Sequence, residues 1–433
     1  MSYTAFLESK RRMAPDVGIT ADRSALPSAL YSWQAAIVRW ALMKGRAAIF
    51  ADCGLGKTFM QCAWANALPP TVRTLILAPL CVAEQTVDEA AKLGIRVRYA
   101  RYDADATDER IVITNYERLD LFDADDFGAV VLDESSILKA FDGKTRTALI
   151  ATFQRTPYRL CCTATPSPND IAELANHAEF IGLMTRAEFL ATWFVHDDSG
   201  WRMKRHAVQP FYRWLASWAI AFRKPSDLGY DDTGFILPPL QLHETIVEST
   251  DASEVLFPEL GLKGIGGRLR ARRSSLERRV EAVTNLLPEY GQSWLLWCGL
   301  NEEADALTNV IPGCVNVQGS DSYAEKRGAV ESFLSGQSRI IATKIRILGY
   351  GLNFQQCHHM AFVGIGDSFE SYYQAIRRCW RFGQHHPVHA HIVVSDAERA
   401  VVENVRRKEQ AHDAMARDLL EHMRGFEQEA LHG

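Results

Sequence analysis

The sequence has nine cysteines but no CxxC pair, and an odd count at irregular spacing argues against a disulfide framework and against the common zinc sites. It lacks any apolar run long enough to span a bilayer, and its first residues, MSYTAFLESKRRMAPD, lack the apolar core of a secretory signal. It also lacks an excess of positive charge. Its 48 basic and 53 acidic residues leave a net charge of −5, which excludes a histone-like polycation but not local basic strips that meet phosphate. No repeat or low-complexity tract is present. These absences lead us to expect a reduced, cytoplasmic protein with no membrane partner.

What is present fits two domains, since 433 residues exceed one ordinary core. Short apolar runs at Ala47–Ala51, Thr74–Ala78, Arg110–Thr114, Ala129–Leu132 and Tyr158–Thr163 predict buried parallel strands. Helical stretches such as Thr58–Ala67 and Val82–Leu93 alternate with them. The second half repeats the alternation, with strands expected at Ser293–Cys298, Val315–Gln318, Arg339–Thr343, His359–Val363 and Ala390–Val394. A long helix is expected from Asp396 onward. The pattern predicts an α/β fold of two lobes, residues 1–185 and 237–433. Residues 186–236 break the alternation with Trp193, Trp201, Trp214 and Trp218 among many arginines, and predict a helical insertion and linker.

Three segments carry chemistry. ADCGLGKT, Ala51 to Thr58, lies between an expected strand and a helix. Glycines such as Gly54 and Gly56 let a loop turn its N–H groups onto a triphosphate. Lys57 adds a charge for the β/γ-phosphates, and the Thr58 hydroxyl is a ligand for Mg²⁺. Ala51 occupies the place where the strict GxxxxGK[ST] pattern has glycine. Next, VVLDESS places Asp133 and Glu134 at the carboxyl end of a strand, where open α/β sheets bind ligands. One acid can hold Mg²⁺ and the other can orient or deprotonate the attacking water. Finally, QAIRRCWRFGQ, Gln374 to Gln384, supplies arginines suited to a triphosphate's charge.

In order along the chain, these segments resemble the superfamily-two helicases, and most closely the SWI/SNF-like DNA translocases and their compact phage and prophage relatives. The resemblance implies two tandem RecA-like parallel-sheet lobes, with ATP and Mg²⁺ in the cleft between them. LYSWQ is similar to the Q motif and implies Gln34 on the adenine. LILAPLCV and ITNYERL resemble motifs Ia and Ib, implying nucleic-acid contacts at Thr114, Asn115 and Tyr116. DESS resembles motif II. TATPSPN resembles motif III, with Thr163 and Thr165 coupled to the DNA groove. WLLWCG resembles motif IV, and TKIRILGYGLNFQ resembles motif V, implying Thr343 on nucleic acid and Gly351 at the nucleotide. Read as motif VI, QAIRRCWRFGQ puts the finger arginines on Arg378 and Arg381 and leaves Arg377 outside the pattern. The pattern departs from the family at Ser135 and Ser136, where motif II usually ends in His or another coupling residue, and at GIGDSFE after motif V.

The implied activity is nucleic-acid-stimulated ATP hydrolysis driving movement along duplex or branched DNA, by a monomer in the cytoplasm of a bacterium or phage-infected host. Replication or recombination proteins are the further partners it implies. The alternatives are a strand-separating RNA helicase and a nucleic-acid scaffold without turnover. Among weaker signals, Trp193–Lys224 mixes aromatic and basic residues as base-stacking surfaces do, while the spacing of Phe211, Trp214, Leu215, Trp218 and Phe222 is also that of a buried helix face. The basic stretch Lys263–Arg279, whose arginines fall on several sides of any helix, reads either as a solvated surface or as phosphate contacts with Arg270, Arg272 and Arg273 as candidates. His385, His386, His389 and His391 cluster without the Cys or carboxylate that would complete a spaced metal quartet. Cys53 reads as a small buried side chain.

Overall fold

Strand β1 (Arg46–Ala51) is RAAIFA, and every residue after the first is buried, as expected of a strand covered on both faces. The computed structural model describes residues 13–79, 82–106, 109–139, 143–167, 170–197, 200–248, 272–287, 291–349, 352–366 and 368–432. Beyond β1, the first lobe holds β2 (Thr74–Ala78), β3 (Arg98–Tyr99), β4 (Ile111–Asn115), β5 (Ala129–Asp133) and β6 (Tyr158–Thr163). A separate antiparallel hairpin, β7 (Phe194–Asp197) and β8 (Gly200–Met203), precedes β9 (Ala219–Phe222). The seven-stranded sheet has the order β3-β4-β2-β5-β6-β1-β9, and all its pairings are parallel. The fold class is thus as the sequence predicts.

Residues 186–236 are more than a helical insertion. Helices Arg186–Trp193 and Val208–Ala216 flank the hairpin, and β9 then joins β1 as the edge of the lobe-one sheet. The aromatic spacing marks the core here: Phe211, Trp214, Leu215, Trp218 and Phe222 are all buried. Trp193 and Phe189 pack on Trp214 with ring centroids 5.7 and 5.8 Å apart. Helical spacing carries only as far as Ala216, because Trp218 already leads into β9.

The chain divides into two compact units, residues 1–233 with 411–433, and residues 234–410. The sequence assigns the whole C-terminal helix to lobe two. In the structure that helix, Arg399–His432, begins in the second unit, and its residues from Ala411 onward pack in the first. Leu419 and Met423 enter the lobe-one core, His422 stacks on Tyr212 at 4.5 Å, and Asp413 pairs with Arg223 at 2.6 Å.

The second lobe holds β10 (Leu240–Val247), β11 (Trp294–Cys298), β12 (Cys314–Val317), β13 (Ile340–Lys344), β14 (His359–Val363) and β15 (Val388–Ser395). Their order is β10-β15-β14-β11-β13-β12, again all parallel. Pro239 docks against this sheet, its carbonyl accepting Val388 N at 2.9 Å, while the Pro238 carbonyl accepts Trp380 Nε1 at 2.7 Å. At the amino ends of the strands, Trp294, His359 and His389 stand in register. Stacking joins them, His359 lying 4.9 Å from Trp294 and 5.0 Å from His389, with His243 on His391 at 4.5 Å. Among the described residues no group of His, Cys, Asp or Glu is arranged to hold a metal ion.

Candidate active site

Motifs I, III and II leave the carboxyl ends of β1, β6 and β5, three neighbouring strands of one parallel sheet. The loop after β1 turns through Gly54 at φ 86° and Gly56 at φ 73°, conformations that side chains rarely adopt. A Cβ on Gly56 would also lie 2.5 Å from Gln34 Nε2. Ala51 needs no glycine, because it is the last residue of an extended strand. Lys57 opens the helix Lys57–Ala67, and its ammonium donates to the carbonyls of Ala51 at 2.9 Å and Asp52 at 3.3 Å. Thr58 follows in the first turn. Cys53 is buried, its N–H donating to the Asp52 carboxylate at 2.6 Å. Gln34 is buried beside this loop: it accepts from Tyr31 N and donates to Leu55 O, both at 3.1 Å.

Asp133 ends β5 and is buried. Burial first, and then the adjacent Glu134, push its carboxyl well above the usual range, while the Lys57 ammonium and the Gln61 amide pull it back. Such an acid favours a cation partner. The hard oxygen donors of Asp133 and Thr58 suit Mg²⁺, so the residues present fit that ion. Glu134 has φ 55° and is the one non-glycine residue with positive φ among those described. Its Oε2 accepts from Thr163 Oγ1 at 3.4 Å, and Thr163 Oγ1 accepts from Thr165 N at 3.1 Å, which links motif II to motif III. The Ser135 hydroxyl lies 3.1 Å from Nε2 of His177, which is buried. Sequence reasoning missed His177, a lone histidine in a helix that matches no motif.

In the second lobe the motif VI arginines differ in their settings. Arg378 is buried and donates to Gln374 O at 2.9 Å, Gln374 Oε1 at 2.8 Å and Leu352 O at 3.1 Å. Arg381 is half-buried and reaches the same Leu352 carbonyl at 3.4 Å. Arg377, outside the motif pattern, lies over the rings of Tyr373 and Trp380 at 5.0 and 4.3 Å. Gln384 ties the end of the motif to motif V through Gln355 O at 2.7 Å and Cys357 O at 3.1 Å. Gly351 lies outside the described residues.

The candidate nucleic-acid positions Thr114, Asn115, Tyr116, Thr163, Thr165 and Thr343 are all buried. Tyr116 donates its hydroxyl to Asp133 O at 2.7 Å, and Thr343 donates to Val317 O at 2.9 Å. Arg270 lies outside the described residues. Arg272 is nearly buried, 3.3 Å from both Glu303 and Glu398, whereas Arg273 pairs with Glu302 at 2.9 Å on the surface. Arg279 departs from the solvated reading of its stretch. It is fully buried, donating to Glu303 at 2.7 Å and to Val363 O at 2.7 Å.

Residues 278–383, within this second unit, match the family model of the helicase conserved C-terminal domain. The chain is also similar to the human ATP-dependent DNA helicase Q4, at 27% identity over 118 residues. The two matches support a superfamily-two helicase. That alignment covers 23% of this chain and 10% of the human protein, so the chain spans about a tenth of its relative's length.

Proposed function

We propose that this protein is an ATP-dependent DNA translocase or helicase of the SWI/SNF-like branch, related to compact phage and prophage enzymes. The observation that carries the reading is the meeting of three motifs at the carboxyl ends of β1, β6 and β5, with Lys57 beside the buried acid Asp133. In this reading the glycine loop and Lys57 bind the β/γ-phosphates of ATP. Thr58 and Asp133 hold Mg²⁺, which neutralises phosphate charge when bound. Glu134 orients the attacking water and takes its proton. Arg378 and Arg381 act as the finger arginines. Gln34, engaged with Tyr31 and Leu55, serves the adenine through the loop it braces. Contact with DNA phosphates at Thr114–Tyr116, Thr163, Thr165 and Thr343 falls to the main chain, because their side chains face the interior. Arg273 is the exposed basic side chain of this set, and we place a monomer on duplex or branched DNA.

The test is ATP turnover without nucleic acid and then with single-stranded DNA, duplex DNA or RNA. Stimulation by DNA, abolished in Lys57→Ala, is the expected result. Stimulation by RNA alone overturns the DNA reading, and no turnover with any of them overturns the enzyme reading.

A further inference from the structure

Three consecutive residues of motif II are held by side chains from three different elements. The Asp133 carbonyl accepts the Tyr116 hydroxyl at 2.7 Å, Glu134 Oε2 accepts Thr163 Oγ1 at 3.4 Å, and the Ser135 hydroxyl meets His177 Nε2 at 3.1 Å. The middle residue is the one with left-handed backbone, at φ 55°. A non-glycine residue in that region is strained and persists where its surroundings over-determine it. The link through Thr163 belongs to the motif III pattern. The two flanking holds do not.

Both holds are built into the interior. Tyr116, Ser135 and His177 are all buried. His177 sits in helix Leu174–Phe180, and its ring makes a T-shaped contact with Phe50, centroids 5.3 Å apart. Burial depresses its pKa to about 3, so the ring is neutral at physiological pH. Its Nδ1 has no hydrogen-bond partner among the described residues, which leaves Ser135 as the polar contact that fixes the ring. A buried polar group is costly unless it is hydrogen-bonded, and the Ser135 hydroxyl is the partner that His177 has. That serine directly follows Glu134.

We propose that Tyr116 and His177 are positioning residues that hold the neighbours of Glu134, Asp133 by its carbonyl and Ser135 by its hydroxyl, and so aim the Glu134 carboxylate at the hydrolytic water. The proposal rests on the ATP-hydrolysis reading above. In that step the water oxygen bonds to the γ-phosphorus while the bond from that phosphorus to the β,γ-bridging oxygen breaks. The electron pair leaves with ADP, and the water proton passes to Glu134. His177 thereby supplies from a neighbouring helix a histidine that motif II itself lacks, and Ser135 is its point of attachment.

The test compares Tyr116→Phe, Ser135→Ala, His177→Leu, His177→Gln and the double variant Ser135→Ala/His177→Leu. Tyr116→Phe, Ser135→Ala and His177→Leu should each lower DNA-stimulated kcat about tenfold, with the KM for ATP close to wild type. The double variant should be no slower than the slower single, because both remove one contact. His177→Gln should recover most of kcat, since its amide can reach the Ser135 hydroxyl. Wild-type kcat in Ser135→Ala and His177→Leu, multiplying losses in the double, or losses that follow melting temperature rather than the contact would each overturn the proposal. The ring ¹⁵N resonances of His177 give a readout that needs no turnover. They should move in Ser135→Ala, and unmoved resonances overturn the contact itself. A wild type with no turnover at all overturns the enzyme reading and the positioning role with it, whereas wild-type turnover with unaffected variants overturns the positioning role alone.

Discussion

Glu427 accepts the backbone N–H of Ala221 at 2.6 Å, so a carboxyl from the last helix closes the open edge of the lobe-one sheet. Edge strands offer unpaired donors to any passing strand, and β9 meets a buried side chain instead. Burial raises that carboxyl from 4.5 to about 8. A raised acid favours the folded state when protonated, so its stabilisation is complete below about pH 4.5 and declines as pH rises to about 8. Melting temperature should therefore fall between pH 5 and pH 8. In Glu427→Gln that slope should flatten relative to wild type, and an identical slope would refute the assignment.

The imidazole stack of lobe two predicts the opposite dependence. Burial first, then neighbouring imidazoles, lower His359 and His391 from 6.5 to about 4, and His358 and His389 are also lowered. A depressed base favours the folded state when neutral, so stability is full above about pH 6.5 and is lost as pH falls towards 4. The double variant His359→Phe/His391→Phe keeps flat rings in the stack and removes the two most strongly shifted imidazoles. Its melting temperature should change less than wild type between pH 6.5 and pH 4.5.

Arg378 and Arg381 share one acceptor, the Leu352 carbonyl, but differ in burial. Arg381→Ala should cut DNA-stimulated ATP turnover by about three to five orders of magnitude and leave nucleotide binding nearly intact. Arg378→Ala should slow turnover as well, but it also strips Gln374 and Leu352 of a buried donor. A stability loss of roughly 2–4 kcal/mol should accompany it, measured by denaturant unfolding. Equal stability of the two variants would contradict this division of roles.

The pair Arg279–Glu303 is fully buried at 2.7 Å. Arg279→Ala leaves the buried Glu303 with Arg272, at 3.3 Å, as its remaining opposing charge, so it should cost at most about 3–5 kcal/mol of lobe-two stability. Glu303 also caps its own helix by accepting from Gly299 N at 2.7 Å and Leu300 N at 3.0 Å, so Glu303→Gln should be milder than Arg279→Ala. Chemical denaturation of both variants checks the order.

The strands buried on both faces were legible because a short continuous apolar run such as TLILA or WLLWC has few other uses. The glycine loop and the acids Asp133 and Glu134 were legible as a candidate site because the strand ends that carry them have a local spacing. β9 was hidden because Phe211, Trp214, Leu215, Trp218 and Phe222 carry a helical period across its start. β10 was hidden because it follows two prolines and alternates exposed and half-buried residues at the sheet edge. His177 and Arg279 were missed for a common reason. Each is defined by a partner 42 or 24 residues away, Ser135 or Glu303, and no local pattern announces such a contact. The burial of Thr114, Thr163 and Thr343 was equally silent, since threonine suits a covered strand end and a wet groove alike.

The helix Arg399–His432 sets an order of assembly. Leu419, Met423 and Glu427 complete the packing of the first lobe, yet all of lobe two is synthesised before them. During translation the first lobe must wait, with the edge of β9 open and Tyr212 short of its stacking partner, until residues 411–433 leave the ribosome. Clipping the chain at residue 410 would then injure the first lobe, at the far end of the sequence from the cut.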